Sequence, residues 1–128
     1  MEQNCSIIYA ISINLPEFDG LVKISQVNAS FDCNLATIPD NSKKLDEIVR
    51  NHIDSYINQY QNNTHPSYKI IYTTIAITSI THKNFGSFDV YNYLRDQGIY
   101  PFDINRSMEW FSISAHEAIN AIKAVKNQ

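Results

Sequence analysis

Residues 41–78 change hydrophobic period once, and that change constrains the fold more than any other stretch of the chain. Leu45, Ile48, Val49, Ile53, Tyr56, Ile57 and Tyr60 recur at helical spacing, which predicts one amphipathic helix from Asn41 to about Gln61. Asp40, Asn41 or Ser42 can cap its first turn. Tyr68–Thr78 is then a β-branched run with interspersed tyrosines, read as the central strand. Asn62-Asn63-Thr64-His65-Pro66 forms the loop between them. A helix with one apolar stripe has to bury it, and the strand supplies the surface, so helix is expected to pack on sheet.

The flanking segments enlarge that sheet. In residues 5–13, Cys5, Ile7, Tyr9, Ile11 and Ile13 share one face and Ser6, Ile8, Ala10 and Ser12 the other. Asn14–Gly20 supplies turn residues for a hairpin, and Gly20–Ile24 returns as a second strand. Residues 29–38 are expected to form a short helix that stops before Pro39. Ser87 is expected to cap a helix over residues 88–97 that ends at Gly98. Residues 107–113, which hold the only Trp, read as a last strand, and Ser114-x-x-Glu117 as a capping box before Ala118, Ile119, Ile122 and Val125. The expected class is α+β: a small three- to four-stranded mixed or antiparallel sheet flanked by helices, in the order β-β-α-α-β-α-β-α. With 128 residues, one domain over 1–128 is the expectation.

Composition narrows the function. At 44% hydrophobic the chain can fill one core, and it has no apolar run of the roughly 18 residues that a membrane span needs. No basic region followed by an apolar block opens the sequence, so no secretory signal is expected and a cytoplasmic setting follows. Two cysteines, Cys5 and Cys33, are too few for a disulfide framework, and four scattered histidines give no zinc spacing. Net charge is −3 with no basic run, whereas DNA binding draws on clustered cations. A patch has to be assembled in space from Lys23, Lys43, Lys44, Lys83 and Arg106 if nucleic acid is the partner.

Four segments resemble, in order, the GIY-YIG nuclease superfamily, and within it the short phage and bacterial branch. They are Tyr9 in Ile8-Tyr9-Ala10-Ile11-Ser12, then Lys23-Ile24-Ser25 where that branch has Lys-Ile-Gly, then Pro66–Tyr72 as a third strand, and Met108-Glu109-Trp110-Phe111 before a terminal helix. The resemblance spans nearly the whole chain. It implies a hairpin followed by helices around a small sheet. In that family a tyrosine of the first motif, with a Tyr or Lys of the second, helps deprotonate the attacking water. An arginine steadies the phosphate, and a glutamate on a later helix holds one divalent cation.

Carried over position by position, Tyr9 and Lys23 are retained and two other places are changed. The arginine position falls at Asn34, which offers no charge to a phosphate. Aligned on Leu94, the glutamate position falls at Ser87, a poor magnesium ligand, and the histidine position at Tyr91. Asp89 can hold a metal only in another register, and Arg106 or Arg95 are the available substitutes for the arginine. His82, Tyr91 and Arg106 are the binding candidates.

From the residues alone, Tyr9 is either a packed strand tyrosine or a pocket residue. Lys23 reads most simply as part of a solvated strand face, Glu109 as surface-facing, His52 as a packing histidine and Trp110 as a core or subunit-contact anchor. The expected function is a catalytically degenerate GIY-YIG-like domain, without a cofactor. It would bind nucleic acid, a nucleotide-like ligand or a protein partner, in phage defence or counter-defence, with a homodimer as one arrangement. The alternatives are an active, divergent DNA endonuclease using Mg2+ and an immunity- or inhibitor-type protein-interaction domain.

Overall fold

The first two strands are longer than their apolar cores. In the computed structural model, which describes residues 2–57, 66–104 and 107–128, β1 (Gln3–Ile13) and β2 (Val22–Phe31) pair antiparallel from Gln3↔Phe31 to Ile11↔Lys23. That pairing removes the helix expected over residues 29–38. Asn28–Phe31 continue the ladder opposite Gln3–Ser6, and Phe31 buries its ring. Only a 3-10 turn, Leu35–Thr37, follows, with the Asn34 side chain accepting from the Ala36 N–H at its start. The loop between β1 and β2 holds a second 3-10 turn, Pro16–Phe18, and Gly20 turns the chain back at a φ of 76° that suits a residue without a Cβ.

The remaining strands are β3 (Tyr68–Ile75), β4 (Phe102–Ile104) and β5 (Ser107–Phe111). They give one five-stranded sheet in the order β3-β1-β2-β5-β4, with every neighbouring pair antiparallel. The sheet is thus larger than the three or four strands expected, it is the antiparallel of the two arrangements, and the Tyr68 strand expected at its centre lies at an edge, with β2 central. β4, three residues long and directly after Pro101, is too short to have a readable alternation. The element order is β-β-α-β-α-β-β-α.

Helices cover both faces of this sheet. α1 (Lys43–Asp54) presents Leu45, Val49 and Ile53, which with Ile57 pack on Ile7, Tyr9, Ile11 and Trp110. Its cap is Ser42, whose hydroxyl accepts from the Leu45 N–H. Asp40 and Asn41, the other two capping candidates, cover the free edge of β3 instead. Asn41 exchanges bonds with Thr73, and Asp40 accepts from the Thr74 and Tyr72 hydroxyls. On the opposite face, α2 (Ser87–Asp96) and α3 (Ala115–Lys126) bring Val90, Leu94, Ala118 and Ile122 against Ile8, Ala10, Ile24 and Phe111.

Both faces of β1 are therefore buried, which its sequence allows because Ile8 and Ala10 are apolar too. The expected capping box forms at α3, Ser114 and Glu117 bonding each other's backbone N–H. At α2 the N-cap is Gly86, not Ser87. Asp89 reaches back to the Gly86 N–H, and Ser87 becomes the first helical residue because Gln26 receives its N–H and hydroxyl. α1 stops at Asp54, short of the expected Gln61, and residues 58–65 lie outside the described part. No helix among the described residues is long and apolar enough to cross a membrane.

Candidate functional site

Tyr9 pairs directly with Ser25 in the β1–β2 ladder, and Ile11 with Lys23, so Tyr9, Lys23 and Ser25 project from the same face toward α1. Lys23 is 6% exposed, and the solvated strand face expected for it is not what forms. The turn that follows α1 lies over it. Its ammonium donates to the Tyr56 hydroxyl at 3.2 Å and sits 4.3 Å from the centre of the Tyr56 ring. The same hydroxyl lies 3.1 Å from that of Tyr9. His52, one helical turn before Tyr56, stands edge-on to both rings, at centroid distances of 6.0 Å and 5.3 Å.

Glu109 completes the cluster, against the expectation that it faces solvent. Strict alternation in β5 would send Glu109 and Trp110 to opposite faces. The β4–β5 ladder, however, pairs Phe102 with Trp110 and Ile104 with Ser107, so β5 carries one extra residue between those pairs. A bulge of this kind turns a side chain toward the other face. The Glu109 carboxylate consequently lies 3.4 Å from the Lys23 ammonium, accepts from Ser25 at 3.0 Å and from Ser107 at 3.2 Å. One-third exposed, it meets solvent, as His52 and Tyr56 do in part. Trp110 beside it is fully buried against Phe18, a core anchor as expected.

Burial dominates the ionisation of the aromatic members. It pushes the Tyr9 phenol above the usual tyrosine value, while Lys23 and the Tyr56 hydrogen bond partly offset that rise. Burial, assisted by the Lys23 charge, pushes the His52 imidazole below its usual value. At neutral pH Tyr9 and His52 are therefore both uncharged. The polar chain Tyr9–Tyr56–Lys23–Glu109 can relay hydrogen bonds, but its tyrosine is a poor proton acceptor.

Tyr91 approaches this region from the other face of the sheet. Its hydroxyl donates to the carbonyl of Ile24, between Lys23 and Ser25, at 2.5 Å. Burial drives its phenol far up, a hydrogen bond with Ser87 offsets part of the rise, and Glu109 and Tyr9 add to it. Ser87 lies on the same side, bonded to Gln26. Asn34 and His82 do not join. They border a separate cleft beside Gln3, and Gln3 lies about 20 Å along β1 from Tyr9 at roughly 3.3 Å per residue. Asp89 is bound to the Gly86 N–H, away from Lys23. Arg106 lies outside the described residues.

For a divalent cation, the available donors are few. Among the described residues no group of three or more His, Cys, Asp or Glu side chains converges, and Glu109 meets Tyr9 and Lys23 as a single carboxylate already engaged by an ammonium and two hydroxyls. That donor set does not fit a metal held mainly by anionic oxygen. Both cysteines are free thiols, Cys5 buried and Cys33 exposed.

Tyr56 and Glu109 are the residues that sequence reasoning left out of the site. Tyr56 was legible as part of the α1 stripe, where a hydroxyl on a buried face needs a polar partner. Glu109 had no such signal, because the bulge that aims it depends on β4. Comparison with family models, with curated protein sequences and with solved structures finds no match to the chain.

Proposed function

We propose that the chain is a GIY-YIG-like domain that binds a phosphate-bearing ligand, a nucleic acid or a nucleotide, without cutting it. The observation that carries this reading is the hydrogen-bonded chain Tyr9–Tyr56–Lys23–Glu109, in which the two side chains retained from the family pattern meet on one face. Lys23 is the cation, Tyr56 orients it, and a phosphate oxygen replaces Glu109 as its counter-ion. The absence of cutting is supported by Tyr9, whose burial keeps its proton on, and by Asn34, which sits at the far end of the hairpin.

Fluorescence anisotropy with a labelled single-stranded oligonucleotide and with a labelled nucleotide tests the binding. Lys23→Met is expected to weaken it and Glu109→Gln, which removes the competing anion, to strengthen it, with a steep loss as salt rises. Equal affinity in both variants would reject the reading.

A second reading has one observation in its favour: Glu109 brings a carboxylate beside Tyr9 and Lys23, as an active metal-dependent endonuclease requires. A plasmid-nicking assay with Mg2+ or Mn2+ separates the two. Cleavage lost in both Tyr9→Phe and Glu109→Gln would establish the nuclease in place of the binding domain.

A further inference from the structure

At the Gln3 end of the hairpin, the 34–40 loop, the end of β3, the loop that follows it and the last turn of α3 enclose a cleft of about 520 Å3, a size typical of small-molecule sites. Leu35, Ile38 and Ile77 give it apolar walls, and Asp40, His82 and Lys126 line it with charge-bearing groups. The C-terminal residues close one side, since the Ser79 N–H donates to the Lys126 carbonyl at 2.6 Å and the Ile80 N–H to that of Gln128 at 2.9 Å.

Lys126 is the residue that asks for a ligand. Half-buried, its ammonium donates to the Ile75 carbonyl at 2.5 Å and has no other hydrogen-bond or ion-pair partner among the described residues. An ammonium has three donors, so two remain for an occupant of the cleft. Burial lowers its proton affinity, the direction expected of a cation short of counter-charge. Asp40 does not supply that charge by contact, because its oxygens receive the hydroxyls of Thr74 and Tyr72 instead.

His82 adds a second cue. It holds a left-handed φ of 55°, and the loop around it is tied by its N–H to the Thr78 carbonyl at 3.1 Å and by the Thr78 and Thr81 hydroxyls at 2.6 Å. A side chain in that conformation is disfavoured, and such strain collects where a group has to be aimed. Here the strained residue is one of those that line the cleft.

We infer that this cleft binds a small anion carried on an apolar body: a carboxylate or phosphate ester whose oxygens bond Lys126 while its hydrocarbon lies on Leu35, Ile38 and Ile77. The site is independent of the Tyr9–Lys23 cluster. Removing the ammonium leaves the Ile75 carbonyl bonded to the Ile77 N–H at 2.9 Å, so the fold does not depend on the lysine.

Calorimetric titration of the full chain with hexanoate, hexyl phosphate and hexylammonium tests the assignment. Saturable binding of hexanoate or hexyl phosphate is expected, the tighter of the two identifying the head group, with no binding of hexylammonium. Lys126→Met should weaken binding at least about tenfold, Leu35→Trp should abolish it by filling the cleft, and Tyr9→Phe should leave it unchanged. The inference is overturned if neither anion binds at millimolar concentration, if hexylammonium binds as well as they do, or if both cleft variants bind as the parent chain does.

Discussion

The two ends of β1 carry a lysine each in their neighbourhood, and the two lysines are treated differently. At the Tyr9 end, Lys23 is 6% exposed and is answered by a tyrosine hydroxyl, an aromatic face and a carboxylate. At the Gln3 end, Lys126 has one backbone carbonyl and an adjoining cleft. A buried ammonium with its partners in place supports the structure and meets a ligand only when one of them, Glu109, is displaced, and removing it leaves those partners stranded. An ammonium with spare donors beside a cavity contributes little to folding and is available to a ligand. The end where Tyr9 and Lys23 meet is thus the more closed one, and the end bordered by Asn34 and His82 is open.

Charge-removing substitutions that keep the lysine stem break this comparison most directly. Lys23→Met strips Tyr56 and Glu109 of their partner and is expected to cost about 2–3 kcal/mol, somewhat below the full cost of splitting a buried pair because Glu109 is 33% exposed. Lys126→Met removes a desolvated charge together with one hydrogen bond, so its expected effect is about 0.5 kcal/mol or less in either direction. Urea denaturation midpoints of the two variants decide it. Equal losses would mean that the lysines have the same structural role.

Smaller, and confined to the closed end, is a dependence on acid. His52 has its proton affinity depressed in the fold, mainly by burial. The unfolded chain then binds a proton more readily, so the stability tied to neutral His52 is complete above about pH 6.5 and is lost as pH falls through the lower folded value. Urea midpoints measured from neutral to mildly acidic pH should fall less in His52→Gln than in the parent chain. Superimposable profiles would remove His52 from the closed cluster. Tyr9 acts at the other limit. Its phenol is pushed up, so its contribution is intact at neutral pH and declines only above about pH 10.

Much of the scaffold was legible because local patterns and tertiary needs agree. The alternation of Cys5–Ile13, the α1 stripe, the β-branched run from Tyr68 and the Ser114–Glu117 box each specify an element that forms. Residues 29–38 misled because a polar segment ending at a proline looks helical in isolation, whereas the partner strand from Gln3 draws Asn28–Phe31 into the ladder. Of the site, Tyr9 and Lys23 could be named from sequence. Their environment could not, since the burial of Lys23 depends on where α1 ends and the approach of Glu109 depends on a bulge opposite a three-residue strand. The second cleft is still less readable: its wall comes from five separate segments, and no spacing rule links Leu35 to Lys126.

The smallest expected effect sharpens the comparison from the open end. If the loop holds His82 in its left-handed conformation to aim the imidazole, glycine at that position should relieve strain and remove the aimed group together. A φ of 55° suits glycine, although the freer unfolded chain offsets part of the gain, so His82→Gly is expected to raise stability by about 0.5 kcal/mol. The same variant should bind hexanoate or hexyl phosphate more weakly than the parent chain, whereas Lys126→Met should weaken binding without raising stability. A gain in stability with anion affinity unchanged would assign the strain at His82 to the turn between Thr78 and Lys83, leaving Lys126 as the cleft's sole recognition group. A loss of stability would mean that the imidazole packs in the parent fold, and the Gln3 end would then be less open than its cleft suggests.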